Sequence, residues 1–150
     1  MSIIKDPFPK PAVWVGHRIS YGETDTMGYC YYAEYFHIFE RARDAYIRLS
    51  GFSYKVVEQR GIMLPVREAQ ARYRAPFRFD DVLWTHVAVA EWGRASLTFV
   101  YEIYNEDRTK LHVTGMTQHA TATLDGRPAR MPSWLSDISK TVPDEAEVLL

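Results

Sequence analysis

The residue types most able to do chemistry are concentrated in one stretch, YGETDTMGYCYYAEYF, from Tyr21 to Phe36. It places a carboxylate, Asp25, between Gly22 and Gly28, in a loop that runs into the start of an apolar-periodic segment. The first turn of a helix offers unpaired N–H groups and a positive partial charge. A carboxylate beside such a turn suits a thioester carbonyl, whose oxygen becomes negative as the tetrahedral intermediate forms. Asp25, held across the substrate, would attack directly or deprotonate water. Gly28 gives the backbone the freedom that the turn requires. The run Thr24-Asp25-Thr26 also reads as no more than a helix-leading turn with Asp25 as a cap, and spacing alone leaves both readings open.

Other reactive types are less suggestive. Asp80-Asp81 precedes a strand and reads as a solvated turn. His112 and His119 lie an odd number of residues apart on one predicted strand, so they face opposite ways and share no metal. His37 and Glu40 are helical neighbours without further ligands, and no metal site or cofactor is expected. There is no GxSxG elbow and no GxxxxGK[ST] loop, which argues against serine-hydrolase and nucleotide chemistry. Cys30 has no histidine placed by local sequence to activate it, so it reads as a small packing or pocket residue.

The elements that must position Asp25 follow from periodicity. Residues 1–12 contain Pro7, Pro9 and Pro11 and read as an extended arm. Val13 to Tyr21 alternates with a period of two and predicts a strand. Tyr32 to Ser50 changes period: Tyr35, Phe39, Ala42, Tyr46 and Leu49 mark one helical face, widened by Phe36, Ile38 and Ala45. Glu34 in its first turn and Arg48 in its last suit the helix dipole, and Gly51 reads as the C′ residue. A short helical turn is weakly signalled near Ser53–Arg60. Four further strands are predicted at Met63–Arg74, Val82–Trp92, Arg94–Asn105 and Lys110–Leu124, joined by short turns. Small Ala69 and Ala71 would let the helix approach the sheet closely. After Pro132, Ser133–Ser139 reads as a short closing helix with Ser133 as N-cap. The sum is α+β: an antiparallel sheet of about five strands around one long helix. Its exposed edges favour self-association.

Composition narrows the partners. A chain of 150 residues with 47% hydrophobic and 25% charged content fits one globular domain over 1–150. The 14% aromatic content, with ten Tyr and four Trp, points to an aromatic-rich core or interface. A net charge of −1 without a basic tract disfavours nucleic acid. The N-terminal run MSIIKDPFPKPAVW lacks an apolar h-region, and nothing approaches the ~20 apolar residues of a membrane span. With a single cysteine no internal disulfide forms, and a cytoplasmic location is expected.

The pattern Y-x-E-T-D-x-x-G-x-x-Y-Y-A-x-Y, followed by FxxFERAR and later by PFRFDDVL and EWGRAS, resembles the 4-hydroxybenzoyl-CoA thioesterase family and the related Tol-Pal-associated acyl-CoA thioesterases. The resemblance runs roughly from Val13 to Leu124. It implies a hot-dog fold, a cofactor-free site where subunits meet, and a homodimer or homotetramer. It also implies hydrolysis of a short-chain or aromatic acyl-CoA, with Asp25 as catalytic carboxylate. Tyr32 then occupies the position whose backbone N–H polarises the thioester carbonyl; the Tol-Pal branch usually carries histidine there. Tyr21 matches a site tyrosine of that branch, although a strand-end aromatic is an equal reading. Gly28 and Arg94 fall at substrate-binding positions. Arg94 aligns with a residue that contacts CoA phosphates, but its neighbours Gly93 and Ala95 are not basic, and as a residue it reads as a solvated turn. Other readings within reach are a hot-dog hydratase or dehydratase, a thioesterase acting on acyl carrier protein, and a non-catalytic acyl-binding module.

Overall fold

The computed structural model describes residues 7–150. Strand β1 spans Ala12–Arg18, and a 3-10 turn at Tyr21–Glu23 opens the loop to helix α1, Glu34–Leu49. A short helix α2, Tyr54–Gln59, leads to the strands β2 (Val66–Tyr73), β3 (Val82–Trp92), β4 (Ser96–Asn105) and β5 (Leu111–Ala120). The chain closes with α3 (Ser133–Ser136), a second 3-10 turn, and strand β6 (Ala146–Leu149). The sheet has six strands in the order β2-β5-β4-β3-β1-β6, one more than the sequence predicts. Every pairing is antiparallel except that of β6, which runs parallel to β1 at Val13–Gly16.

Helix α1 forms because Tyr35, Ile38, Phe39, Ala42, Ala45 and Tyr46 recur at helical spacing, and all are buried. It stops at Ser50, after which Gly51 takes a φ of +96°, the left-handed C′ conformation that favours glycine. The buried face lies across the sheet, closest to β3, with β1 and β2 alongside and its rings reaching β4. Phe39 stacks on Tyr101 with centroids 4.2 Å apart, and Tyr46 meets Phe99 edge-on at 5.8 Å. Gly115 on β5 admits the Phe39 ring, and of the two alanines of β2 it is Ala71 that packs against the core. A Cβ on Gly115 would sit 2.3 Å from the Phe39 ring, whereas Ala69 is exposed and Ala71, which pairs with Gly115, is only partly buried.

The far face of β1 and β3 is covered from the N-terminal side. Phe8 stacks on His86 at 4.4 Å, and His86 stacks in turn on Trp14 at 4.1 Å. Residues 1–6 of the predicted arm lie outside the described residues. Ser53 caps α2 by accepting from the Val56 N–H at 3.3 Å. Ser133, by contrast, is the first residue of α3, and the N-cap is Pro132, which has no side-chain acceptor. The closing segment docks through buried Leu135 and Ile138, and the Tyr46 hydroxyl pairs with Ser139 at 2.9 Å.

Candidate active site

The loop from Ser20 to Ala33 is tied down before it reaches Asp25. Glu23 is buried, and its Oε1 accepts from the Ser20 N–H at 2.8 Å and the Ser20 hydroxyl at 2.9 Å, a capping box around the 3-10 turn. Its Oε2 meets His17 Nε2 of β1 at 2.8 Å and Arg41 Nη2 of α1 at 3.1 Å. One carboxylate thus ties loop, strand and helix together. Burial pushes the Glu23 pKa up, but the hydrogen bonds from the Ser20 backbone and His17 outweigh it and hold the group below its ordinary value. This anchor was missed in reading the sequence, although Ser20-x-x-Glu23 is a capping-box signature.

Asp25 itself closes a tight turn. Its Oδ1 accepts from the N–H groups of Met27 at 2.9 Å and Tyr29 at 3.2 Å. Its carbonyl accepts from the Gly28 N–H at 2.9 Å, and Gly28 takes a φ of +80°. The partners of Oδ1 are loop amides, so Asp25 does not cap α1, which begins nine residues later at Glu34. Among the described residues Oδ2 receives no hydrogen bond.

Asp25 lines a cleft of about 340 Å³ together with Tyr29, Cys30, Tyr32, Tyr35 and Tyr73. Tyr32 stands just before α1, and among the described residues the N–H groups of Tyr32 and Ala33 make no hydrogen bond. Its carbonyl is held by the Tyr73 hydroxyl of β2 at 2.8 Å. The cleft therefore combines a half-buried carboxylate with Tyr32, whose amide has no partner among the described residues just before the helix start. Burial pushes the Cys30 thiol up to about 12, so it stays protonated at neutral pH and is a poor nucleophile. Burial likewise raises the Tyr35 phenol.

The other sequence candidates lie elsewhere in the chain. Tyr21 is 76% exposed and stacks on Phe79 at 3.9 Å, off the cleft. Arg94 is exposed in the β3–β4 turn. That is the opposite end of β3 from the Asp25 loop, roughly 30 Å away at the strand rise. Asp80 and Asp81 form a turn: Asp81 accepts from the Arg78 N–H at 2.8 Å, and Asp80 pairs with Arg18 at 3.5 Å. His112 stacks on Phe77, while His119 lies against Phe99. The lining tyrosines Tyr29, Tyr35 and Tyr73 carried no signal beyond aromatic content, since strand and helix periodicity assigns such residues to the core.

A family model described as the thioesterase-like superfamily matches residues 19–138. The chain belongs to that superfamily. With its six-stranded sheet and the buried helix α1, it has the hot-dog fold. An acyl-CoA thioesterase of Haemophilus influenzae is 32% identical over 83 residues, covering 55% of this chain and 61% of that protein. The crystal structure of a DHNA-CoA thioesterase from Staphylococcus aureus matches with a TM-score of 0.79 at 31% identity, covering 86% of this chain and 89% of that one. A 4-hydroxybenzoyl-CoA thioesterase matches with a TM-score of 0.78 at 21% identity over 86% of this chain and 99% of that one, a likeness of fold. The matched region begins just after β1 and includes the Asp25 loop and α1.

Proposed function

We propose that the protein is an acyl-CoA thioesterase that hydrolyses a short-chain or aromatic acyl-CoA to the free acid and CoA, with Asp25 as general base or nucleophile. The observation that carries this reading is the asymmetry of the Asp25 carboxylate. Oδ1 is pinned by two loop amides, while Oδ2 has no protein partner among the described residues and Asp25 lines the cleft. As base, Asp25 takes a proton from water, whose oxygen adds to the thioester carbon. As nucleophile, it forms an acyl anhydride that water then cleaves. In either route the carbonyl oxygen gains negative charge opposite the free Tyr32 N–H, and the C–S bond breaks with the thiolate as leaving group. A hydratase or dehydratase would be expected to set a histidine beside the carboxylate, and no histidine lines this cleft. The named relatives above act on acyl-CoA thioesters, which supports the same substrate class here.

The test is release of free thiol from a panel of benzoyl, short-chain and long-chain acyl-CoA thioesters, with acyl carrier protein thioesters alongside. Asp25→Asn keeps the Oδ1 hydrogen bonds and removes basicity. Turnover should fall by roughly 10²-fold or more with the fold intact. Near-wild-type turnover in a folded Asp25→Asn protein would overturn the assignment.

The site reading includes a homodimer. Strand β2 is an eight-residue sheet edge whose residues are almost all exposed. Antiparallel pairing of two β2 edges about a two-fold axis through Gln70 would set Glu68 opposite the second copy's Arg72. Past the irregularity between Val66 and Glu68, the segment around Leu64–Val66 of one copy would come near that around Arg74–Pro76 of the other. A cavity of about 570 Å³ flanks the first segment and the Asp25 cleft flanks the second, so the two would join into one site. Arg94 and Tyr21 then serve as contacts for the nucleotide or the rim only if the assembly brings them to a neighbouring copy's cleft.

A further inference from the structure

The cavity beyond β2 has a polar wall built around a buried cation. Arg43 of α1 lines it, and its side chain is 9% exposed. The Arg43 Nε donates to the Tyr54 hydroxyl at 3.2 Å and Nη1 to the Tyr101 hydroxyl at 3.5 Å. From Tyr101 a chain of hydrogen bonds runs to Thr117 at 2.6 Å, to His119 Nε2 at 2.9 Å, and from His119 Nδ1 to the Leu64 carbonyl at 3.0 Å.

The direction of this chain is determined. A carbonyl only accepts, so His119 Nδ1 carries hydrogen. Burial pushes His119 down to about 4, so the ring is neutral at neutral pH and Nε2 accepts. The Thr117 hydroxyl must then donate to His119, and the Tyr101 hydroxyl must donate to Thr117. That leaves Tyr101 as acceptor from Arg43 and spends its proton. At the other end of the chain, Tyr54 accepts from Arg43, and no residue among those described takes its proton. Arg43 Nη2 makes no hydrogen bond either, with the Glu40 carboxylate 3.8 Å away.

The acceptors of this inner wall are already engaged. The Leu64 carbonyl is held by His119, that of Pro65 by the Ala120 N–H at 2.9 Å, and that of Met63 by the Ala122 N–H at 3.0 Å. What this inner wall offers a neutral ligand is therefore donors, from Tyr54 and from Arg43 Nη2, whose ion-pair partner Glu40 is too far for a hydrogen bond. Carboxylates of Glu40, Asp44 and Glu58 also line the cavity and oppose a net negative ligand. Apolar Met63, Leu64 and Val66 complete the lining and suit a hydrocarbon body.

We propose that Arg43 and Tyr54 form a specificity site for an acyl group that carries a neutral oxygen acceptor, a ketone or ether, at the end remote from its thioester. This rests on the thioesterase reading and on the joined cavity and cleft of the paired β2 edges. An acyl group reaching from the Asp25 cleft into the cavity presents its far end to those donors. A matched acceptor satisfies them; a methylene in its place leaves both donors facing carbon.

The test uses pairs of equal shape: para-methoxybenzoyl-CoA against para-ethylbenzoyl-CoA, and a keto-terminated chain against its methyl-branched counterpart. The wild-type protein should favour the oxygen-bearing member of a pair by about tenfold or more in kcat/KM. Tyr54→Phe should cut that preference to about threefold or less. Because the change also leaves the Arg43 Nε without its acceptor, Tm should fall by a few degrees, so the readout is the ratio between the two members of a pair, which a general loss of stability does not move. Equal kcat/KM for both members in the wild type, or a preference untouched by Tyr54→Phe, would overturn the proposal. If no thioester is cleaved at all, the thioesterase reading fails separately, and calorimetric titration with the free para-methoxy and para-ethyl benzoic acids decides the pocket. Tighter binding of the methoxy acid, lost in Tyr54→Phe, upholds the site; equal or no binding of the two acids rejects it.

Discussion

At the scale of single residues, two side chains make separable demands. In the proposed mechanism Tyr32 contributes through its backbone, because its N–H has no partner among the described residues just before α1 and the residue is 60% exposed. Tyr32→Phe keeps that amide and the ring shape, so most activity should remain. A loss of tenfold or more in kcat, with KM and Tm unchanged, would make the phenol a catalytic group. His119 bears on stability instead. Its folded pKa of about 4 lies below the ordinary histidine value, so the unfolded chain takes up the proton first as pH falls. The native state loses stability across that window, from about pH 6.5 downward, and the loss levels off near the folded value. Between about pH 7 and pH 4.5 the cost should be roughly 2–3 kcal/mol. His86 and His112 are also lowered by burial and act in the same direction, so the comparison must be made against a variant. Urea unfolding of wild type and His119→Gln at both pH values isolates the term. Equal slopes in the two proteins would show that His119 does not titrate as argued.

Elements were legible where one face repeats over many residues, and illegible where tertiary contact decides. The helix from Glu34 to Leu49 is written in Tyr35, Phe39, Ala42 and Tyr46, and β3 at Val82–Trp92 has the bounds that alternation predicts. Strand β6 was not readable, because four residues in an acidic tail carry no period and gain their partner only from β1, more than 130 positions earlier. The Ser20–Glu23 capping box was local and readable, but its bonds to His17 and Arg41 join three elements and left no trace in spacing. The Asp25 turn was legible in position, since Gly28 marks it, whereas the direction of each carboxylate oxygen was not. Close helix–sheet contact was assigned to Ala69 and Ala71 because two small residues share a face. Ala71 does pack against the core, while Ala69 is exposed, and the tightest approach is at Gly115, whose lack of a Cβ admits the Phe39 ring. Gly115→Ala would force the methyl within 2.3 Å of a ring already stacked on Tyr101 and 3.0 Å from the Gln70 carbonyl. The strain should cost roughly 2 kcal/mol and lower Tm by about 4–8 °C. Phe39→Leu in the same chain should recover part of that loss in a thermal melt; a double variant no more stable than Gly115→Ala would point to backbone strain rather than the ring.

For the whole molecule, the open edge of β2 is the feature that most needs a partner. An eight-residue strand with free N–H and C=O groups along one side is a template for pairing, and it carries no proline to block it. In the proposed dimer charge would set the register. About a two-fold axis through Gln70, Glu68 would face the second copy's Arg72 twice per dimer, while a shift of half a residue would oppose Arg67 to Arg72 and repel. Among the described residues neither Glu68 nor Arg72 is in a salt bridge, and Glu68 accepts through Oε1 from Gln70 Nε2 at 2.7 Å, so the charges of both are open to such contacts. Glu68→Arg should therefore weaken the dimer by placing like charges opposite each other at two symmetric points, as should Arg72→Glu. The double exchange Glu68→Arg with Arg72→Glu restores opposite pairs and should restore the dimer. Light scattering across a dilution series reads this directly, with the 17.4 kDa chain as the monomer reference. Thiol release measured on the same samples follows the joined site: activity should fall and recover in step with the dimer. A fully active monomer would refute the shared site, and single variants as dimeric as wild type would refute the register through Gln70.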